Sequence, residues 1–409
     1  MHYNLDFIRS QFPSLDKDWT YFDNAGGSQT LKLVADRISD YLLNSNVQLG
    51  ASYGISQESG NRVNQGFEFV AELINAKDRS EIVFGSSTTM LLQQVSKSLV
   101  QTFKAGDEVI VSNVEHEANV GPWLEMQKAG IIVKFWEVNT ETFELDLDEL
   151  KSLMNEKTKL VALTHASNIL GSIMPIKEIA QIVHEAGAMI CVDAVAYAPH
   201  RLIDVQDLDV DFYVFSFYKV YGPHYSTLYI KKEILRTLPG INHFFIGDEE
   251  GPYKLQPGNA NFELSYGYLG YKDYLEQAYN EHFEDQNLNF RNKAEAISEL
   301  FAKHEESLSK HLLDFLNSKS NVKIIGSKEW SKEVRVPTIS FIIEGIKSNE
   351  IPIQVDEHMI GIRYGDFYAR RLIESLGLME NEGIIRVSMV HYNTLTEVEQ
   401  LIKVLDQLF

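Results

Sequence analysis

From about residue 80 to residue 220, short apolar runs rich in Val, Ile and Phe alternate with longer amphipathic stretches. That alternation is the pattern of a parallel sheet whose strands are joined by crossover helices. Glu81–Phe84, Glu108–Ser112, Ile131–Glu137, Leu160–Thr164, Ala188–Asp193 and Phe212–Ser216 are predicted strands. Helical spacing covers Thr89–Val100, Asn119–Lys128, Leu147–Asn155 and Ile176–Glu185, so this part of the chain is predicted to be an α/β domain. A 3.6-residue period from Asn287 to Ser318, with Glu299, Lys303, Glu306 and Lys310 outward, predicts a long linking helix. Strand patterns at Val322–Ile325, Thr338–Ile343 and Ile384–Ser388, with helices near Ile373 and Val398, make the remainder α+β. The expected division is a 1–16 segment packing on the body, a large domain over 17–285 and a small one over 286–409.

Composition narrows the function classes. With 37 Lys plus Arg against 58 Asp plus Glu, the net charge of −21 over 409 residues leaves no basic face for nucleic acid. No apolar stretch approaches the ~18 uncharged residues of a membrane span, and the first residues lack a signal-peptide core, so a cytoplasmic protein without membrane association is expected. A single cysteine, Cys191, excludes a disulfide framework and a Cys-rich metal site.

Several residues carry possible chemistry at predicted strand ends. Lys219 lies among aromatics in Phe212-Tyr-Val-Phe-Ser-Phe-Tyr-Lys-Val-Tyr-Gly-Pro-His224. Desolvation favours its neutral, Schiff-base-forming state, although a lysine that snorkels to water fits the window equally well. Asp193 closes an apolar run where open α/β sheets place ligand contacts. A carboxylate there can hold a pyridinium nitrogen protonated; it also suits a turn or helix cap. His116 follows a strand and can stack on an aromatic cofactor or move a proton, or serve the loop alone. Gly85-Ser-Ser-Thr-Thr89 joins a strand to a helix, as a phosphate cradle or an ordinary cap does. Asn168 suits a polar ring contact or a turn. Arg386, on a predicted strand, suits a carboxylate or a surface ion pair. Phosphate cradle, ring stacker, polar ring contact, pyridinium partner and Schiff-base lysine follow one another along the chain, and these are the parts that pyridoxal 5'-phosphate needs.

From about Phe12 onward the chain resembles the class V aminotransferase superfamily of fold-type I pyridoxal phosphate enzymes, in its cysteine desulfurase-like branch. The resemblance rests on Tyr21-Phe-Asp-Asn-Ala-Gly-Gly-Ser28, Glu115-His-Glu-Ala-Asn119, Ser167-Asn-Ile-Leu-Gly171, Val192-Asp193, Ser216-Phe-Tyr-Lys219 with Gly222-Pro223, Gly258-Asn-Ala-Asn261, and Arg386-Val-Ser388 with Tyr392-Asn-Thr394, in the family's order. It implies a large domain with a mainly parallel seven-stranded sheet and a smaller α+β domain. It implies Lys219 as the lysine that joins the cofactor and moves the substrate Cα proton, Asp193 on the pyridinium nitrogen, His116 on the ring face and Asn168 at the ring hydroxyl. Thr88, Thr89 and Ser216 are implied for the phosphate, and Arg386 for the α-carboxylate of a small amino acid. A homodimer is implied, with Asn259 reaching the partner's phosphate.

Two departures bear on the reaction. Arg363-Tyr-Gly-Asp-Phe-Tyr-Ala369 stands where desulfurases carry their sulfur-accepting cysteine, with Tyr368 at the cysteine position, so persulfide chemistry is not expected. Ala196 stands where relatives place a polar ring-hydroxyl partner, which leaves that contact to Asn168 or Tyr218. Arg363 and Tyr368, with Tyr53, Tyr364 and Asp366 by position, are candidates to meet the substrate, or to pack the loop. The expected activity is a C–S or other β-elimination lyase; an aminotransferase or epimerase stands beside it, and a catalytically impaired cofactor-binding protein behind both.

Overall fold

The computed structural model describes residues 3–249 and 251–409. Its large sheet has seven strands: β1 (Ile82–Gly85), β2 (Glu108–Ser112), β3 (Ile132–Trp136), β4 (Thr158–Thr164), β5 (Met189–Asp193), β6 (Phe212–Ser216) and β7 (Ser226–Ile230), in the order β1-β7-β6-β5-β4-β2-β3. The five strands from β6 to β3 are parallel, and β7 pairs antiparallel with both β6 and β1, so β1 runs in the same direction as β6. The carboxyl ends of β1, β2, β4, β5 and β6 therefore meet on one edge of the sheet, where doubly wound folds gather their ligand contacts. β2, β6 and β7 are buried at every position, as strands covered on both faces must be.

The small sheet holds β8 (Val322–Ile325), β9 (Thr338–Ile343), β10 (Arg363–Gly365) and β11 (Ile384–Ser388), in the order β10-β11-β9-β8, all antiparallel. A 28-residue helix, Phe290–Asn317, leads into it, and its apolar stripe, including Leu308, Leu312 and Leu316, packs with β9 and β11 residues. Near the N-terminus, Tyr3 Oη donates to the His391 carbonyl at 2.7 Å, and Arg9 pairs with Glu397 at 2.9 Å.

Three local expectations change. The stretch 119–128 is a short helix, Gly121–Glu125, between the 3-10 turns Glu117–Asn119 and Met126–Ala129, because Pro122 has no N–H to continue a helix from upstream. Glu306 is half-buried and accepts the Lys332 backbone N–H at 2.9 Å instead of facing water. β7 adds a strand with no apolar run to announce it: it begins Ser226-Thr227, and it is buried by pairing on both edges.

The two sheets meet at residues 167–171. Gly171 sits at φ +70°, its carbonyl accepts the Val336 N–H at 2.9 Å, and a Cβ on it would lie 2.3 Å from the Thr338 carbonyl oxygen and 2.9 Å from Arg335 Nη2. Ser340 Oγ donates to the Ile169 carbonyl at 2.6 Å within the same seam. Left-handed strain and a backbone clash both act against any side chain here, so Gly171→Ala should destabilise the protein by about 2–4 kcal/mol. A lowered urea midpoint with an unchanged slope will report it.

Candidate active site

The strand ends place their first side chains by simple succession. β1 ends at Gly85, Ser87 caps the next helix by accepting the Met90 N–H at 3.2 Å, and Thr88 and Thr89 open that helix, Thr88–Leu99. The first N–H groups of a helix have no acceptor within it, so this terminus offers donors and a positive dipole end. Thr88 Oγ1 lies 2.8 Å from Ser216 Oγ at the end of β6, which lies 2.6 Å from Ser226 Oγ on β7. The three sequence-predicted phosphate residues, Thr88, Thr89 and Ser216, thus converge on one wall of a cavity.

Lys219, in the turn after β6, lines the same cavity and is only 6% exposed. Its ammonium has no hydrogen bond or ion pair among the described residues, only the Tyr218 ring 5.7 Å from Nζ. Burial first, then the Arg386 charge, push its pKa down to about 8, while Asp193 and Asp23 pull the other way. Asp193, at the end of β5, accepts the Val195 N–H at 2.9 Å, and burial raises it to about 6 against the pull of Lys219. His116 accepts the Ala118 N–H on Nδ1 at 3.1 Å; burial, with Lys219 and Arg386 nearby, holds it down at about 4. Its imidazole is therefore neutral at physiological pH, as a ring-stacking group should be.

Arg386, on β11, is 2% exposed. Its Nη2 meets Asp23 Oδ1 at 3.0 Å, its Nη1 donates to the Asn168 carbonyl at 3.2 Å, and its Cζ lies 3.7 Å from the centre of the Phe367 ring. Burial lowers it to about 10, and its Nε is buried with no partner. A buried guanidinium with an unmatched donor suits an incoming carboxylate. Arg363 is exposed and shares Asp23, at 3.4 Å. Asn168 lines the cavity, but its Nδ2 already donates to the Phe367 carbonyl at 3.0 Å. Ala196 also lines it and packs with Ala166 and Val336.

Tyr368 is 71% exposed, and its ring centre lies 5.3 Å from that of His116, outside the inner cavity. Asn259 is exposed and does not line the cavity within this chain. Cys191 is fully buried in β5, and burial pushes its thiol well above the usual range.

Sequence reasoning gave no role to two acids. Asp23 lies in the Tyr21–Ser28 segment and bridges both arginines. Glu115, buried beside His116, accepts the Thr164 N–H at 2.8 Å and the Asn119 amide at 2.7 Å, and also bonds Ser112, tying the ends of β2 and β4. Burial raises it to about 8. Their position immediately before Asn24 and His116 was the only available signal.

The donor set fits pyridoxal phosphate: an unpartnered buried amine, a carboxylate and a neutral imidazole around one cavity, with hydroxyls and a helix N-terminus at its end. Residues 20–250 and 288–401 match the family model for Aminotransferase class-V. The chain is 41% identical to the aminotransferase-like protein FGM3 of Gibberella zeae over 99% of this chain and 98% of that protein. It is 32% identical to the cysteine desulfurase-like protein ustD of Aspergillus flavus, over 99% and 90%. A cysteine desulfurase structure from Thermococcus onnurineus NA1 superposes with a TM-score of 0.86 at 27% identity, covering 100% of this chain and 98% of that one. With family match, sheet order and donor set in agreement, the chain belongs to the class V aminotransferases, fold-type I enzymes that use pyridoxal phosphate.

Proposed function

We propose that the protein is a pyridoxal phosphate-dependent β-lyase acting on a small β-substituted amino acid. The observation that carries this reading is the pairing of a buried, unpartnered Lys219 with a site that has no thiol: Tyr368 stands at the cysteine position, and Cys191 is enclosed in the sheet. A site built this way can remove a Cα proton but has no cysteine on which to carry sulfur.

Bound pyridoxal phosphate supplies an electron sink that acidifies the substrate Cα–H. Lys219 would hold the cofactor, and its Nζ would take up the Cα proton. Asp193 keeps the ring nitrogen protonated, and the neutral His116 covers the ring face. Thr88, Thr89 and Ser216 hold the phosphate, and Arg386 orients the α-carboxylate with Asp23 as its counter-ion. Asn259 meets the phosphate of a partner subunit in a homodimer. Net elimination consumes water and gives pyruvate, ammonia and the protonated leaving group. Transamination is the second reading, favoured by the 41% identical relative described as aminotransferase-like.

Two results are expected. Lys219 is depressed to about 8 by burial. At pH 7 about a tenth of it is neutral, against about one part in 3,000 for an ordinary lysine. The rate of cofactor loading should therefore rise with pH to a midpoint near 8, followed by the growth of a visible absorbance band; Lys219→Ala should show no band at any pH. In an amino-acid panel, pyruvate and ammonia should form in equal amounts with no amino acceptor present. Keto acid that appears only with an acceptor would replace the lyase reading by the aminotransferase one.

A further inference from the structure

Residues 366–371 are tied to the large sheet by contacts that none of the roles above uses. The Glu117 carboxylate takes Arg371 in a fork, Nε to Oε2 at 3.1 Å and Nη2 to Oε1 at 3.2 Å. Glu117 also donates its backbone N–H to the Tyr368 carbonyl at 2.7 Å. Asn168 holds the Phe367 carbonyl, Asp366 Oδ1 accepts the Tyr368 N–H at 3.0 Å, and the Arg371 guanidinium lies 5.3 Å from the centre of the Phe135 ring.

These ties hold an uncommon backbone. Phe367 and Tyr368 are adjacent bulky residues at φ 51° and 60°, a left-handed pair that persists only where its surroundings enforce it. The turn sends the two rings opposite ways. Phe367 goes inward beneath Arg386, and Tyr368 goes outward beside His116, where both line a groove of ≈ 880 Å³ next to the inner cavity. His116 lines both the groove and the inner cavity, so the Tyr368 ring stands where the one opens toward the other.

We propose that Glu117 is a positioning residue: through Arg371 and the Tyr368 carbonyl it sets the Tyr368 ring beside His116 as the outer wall of the pocket for substrate atoms beyond Cβ. The proposal rests on the cofactor and amino-acid reading above. It makes Tyr368 a specificity residue, acting at the position from which the sulfur-accepting cysteine is absent.

The test uses the cofactor-loaded enzyme, whose visible band is titrated with two ligands that carry no β-leaving group: L-alanine, which ends at Cβ, and L-norvaline, which extends beyond it. The wild type should bind the second more tightly. Glu117→Gln, Arg371→Met and Tyr368→Ala should each weaken L-norvaline about fivefold while leaving L-alanine within about twofold, as expected for loss of a partly exposed ion pair or its wall. The Glu117→Gln/Arg371→Met double variant should cost no more than either single one, because the two residues act through one contact. Equal weakening of both ligands, no change in either, additive costs in the double variant, or a wild type that does not distinguish the ligands would overturn the proposal. A wild type that shows no visible band after loading would instead overturn the function proposed for the whole site.

Discussion

Everything at the site depends on a cation being taken out of water without a partner. Lys219 is buried in a chain that carries 21 more acidic than basic residues, yet no carboxylate among the described residues reaches its ammonium. An unpaired buried charge responds by giving up its proton, and a neutral amine is the reactive form. Asp193, Asp23 and Arg386 set how far this goes: two acids favour the charged form and one guanidinium opposes it. Desolvation outweighs the acids. Closer pairing with Asp193 would restore an ordinary ammonium and weaken its nucleophilicity.

The site draws on both sheets. Parallel strands deliver Asp193, Ser216 and Lys219 from one edge, while the guanidinium arrives from β11 of the small sheet and is fixed on the Asn168 carbonyl of the large one. The seam therefore behaves as part of the chemistry. A shift of the small sheet by one ångström would move Arg386 relative to Lys219, and geometric errors of that size matter in enzymes. Gly171 locks the seam through a backbone–backbone bond, and the Ser340 hydroxyl and the Asn168 amide each add a side-chain bond to a backbone carbonyl.

Much of this was legible in the sequence, and the exceptions follow a rule. β2, β6 and the small-sheet strands β8, β9 and β11 fall on the ranges that their apolar runs predict, because in each the Val, Ile and Phe positions supply most of the buried surface, even in β8, whose Lys323 faces water. Lys219, Asp193, His116, Thr88, Thr89 and Ser216 line one cavity as their strand-end positions imply. β7 was missed because hydroxyl side chains that satisfy one another inside a sheet look like a loop. Asp23 and Glu115 were given no role because a carboxylate's function is set by what meets it in space: the arginines that Asp23 bridges lie 340 and 363 residues away, and Thr164, through which Glu115 reaches β4, lies 49 away. The inward Phe367 and outward Tyr368 depend on positive φ at two bulky residues, which no periodicity records.

The hydroxyl chain from Thr88 through Ser216 to Ser226 has a direction as well as a position. A hydroxyl has one proton to donate, while a phosphate only accepts. With an anion at the cavity end accepting from Thr88, Thr88 takes a proton from Ser216 and Ser216 takes one from Ser226, so that Ser216 supports the phosphate through Thr88 and not with its own hydroxyl proton. The order of three protons is then fixed from the cavity into the middle of the sheet, so β7, remote from any substrate, supplies the last donor in the phosphate's hydrogen-bonding register.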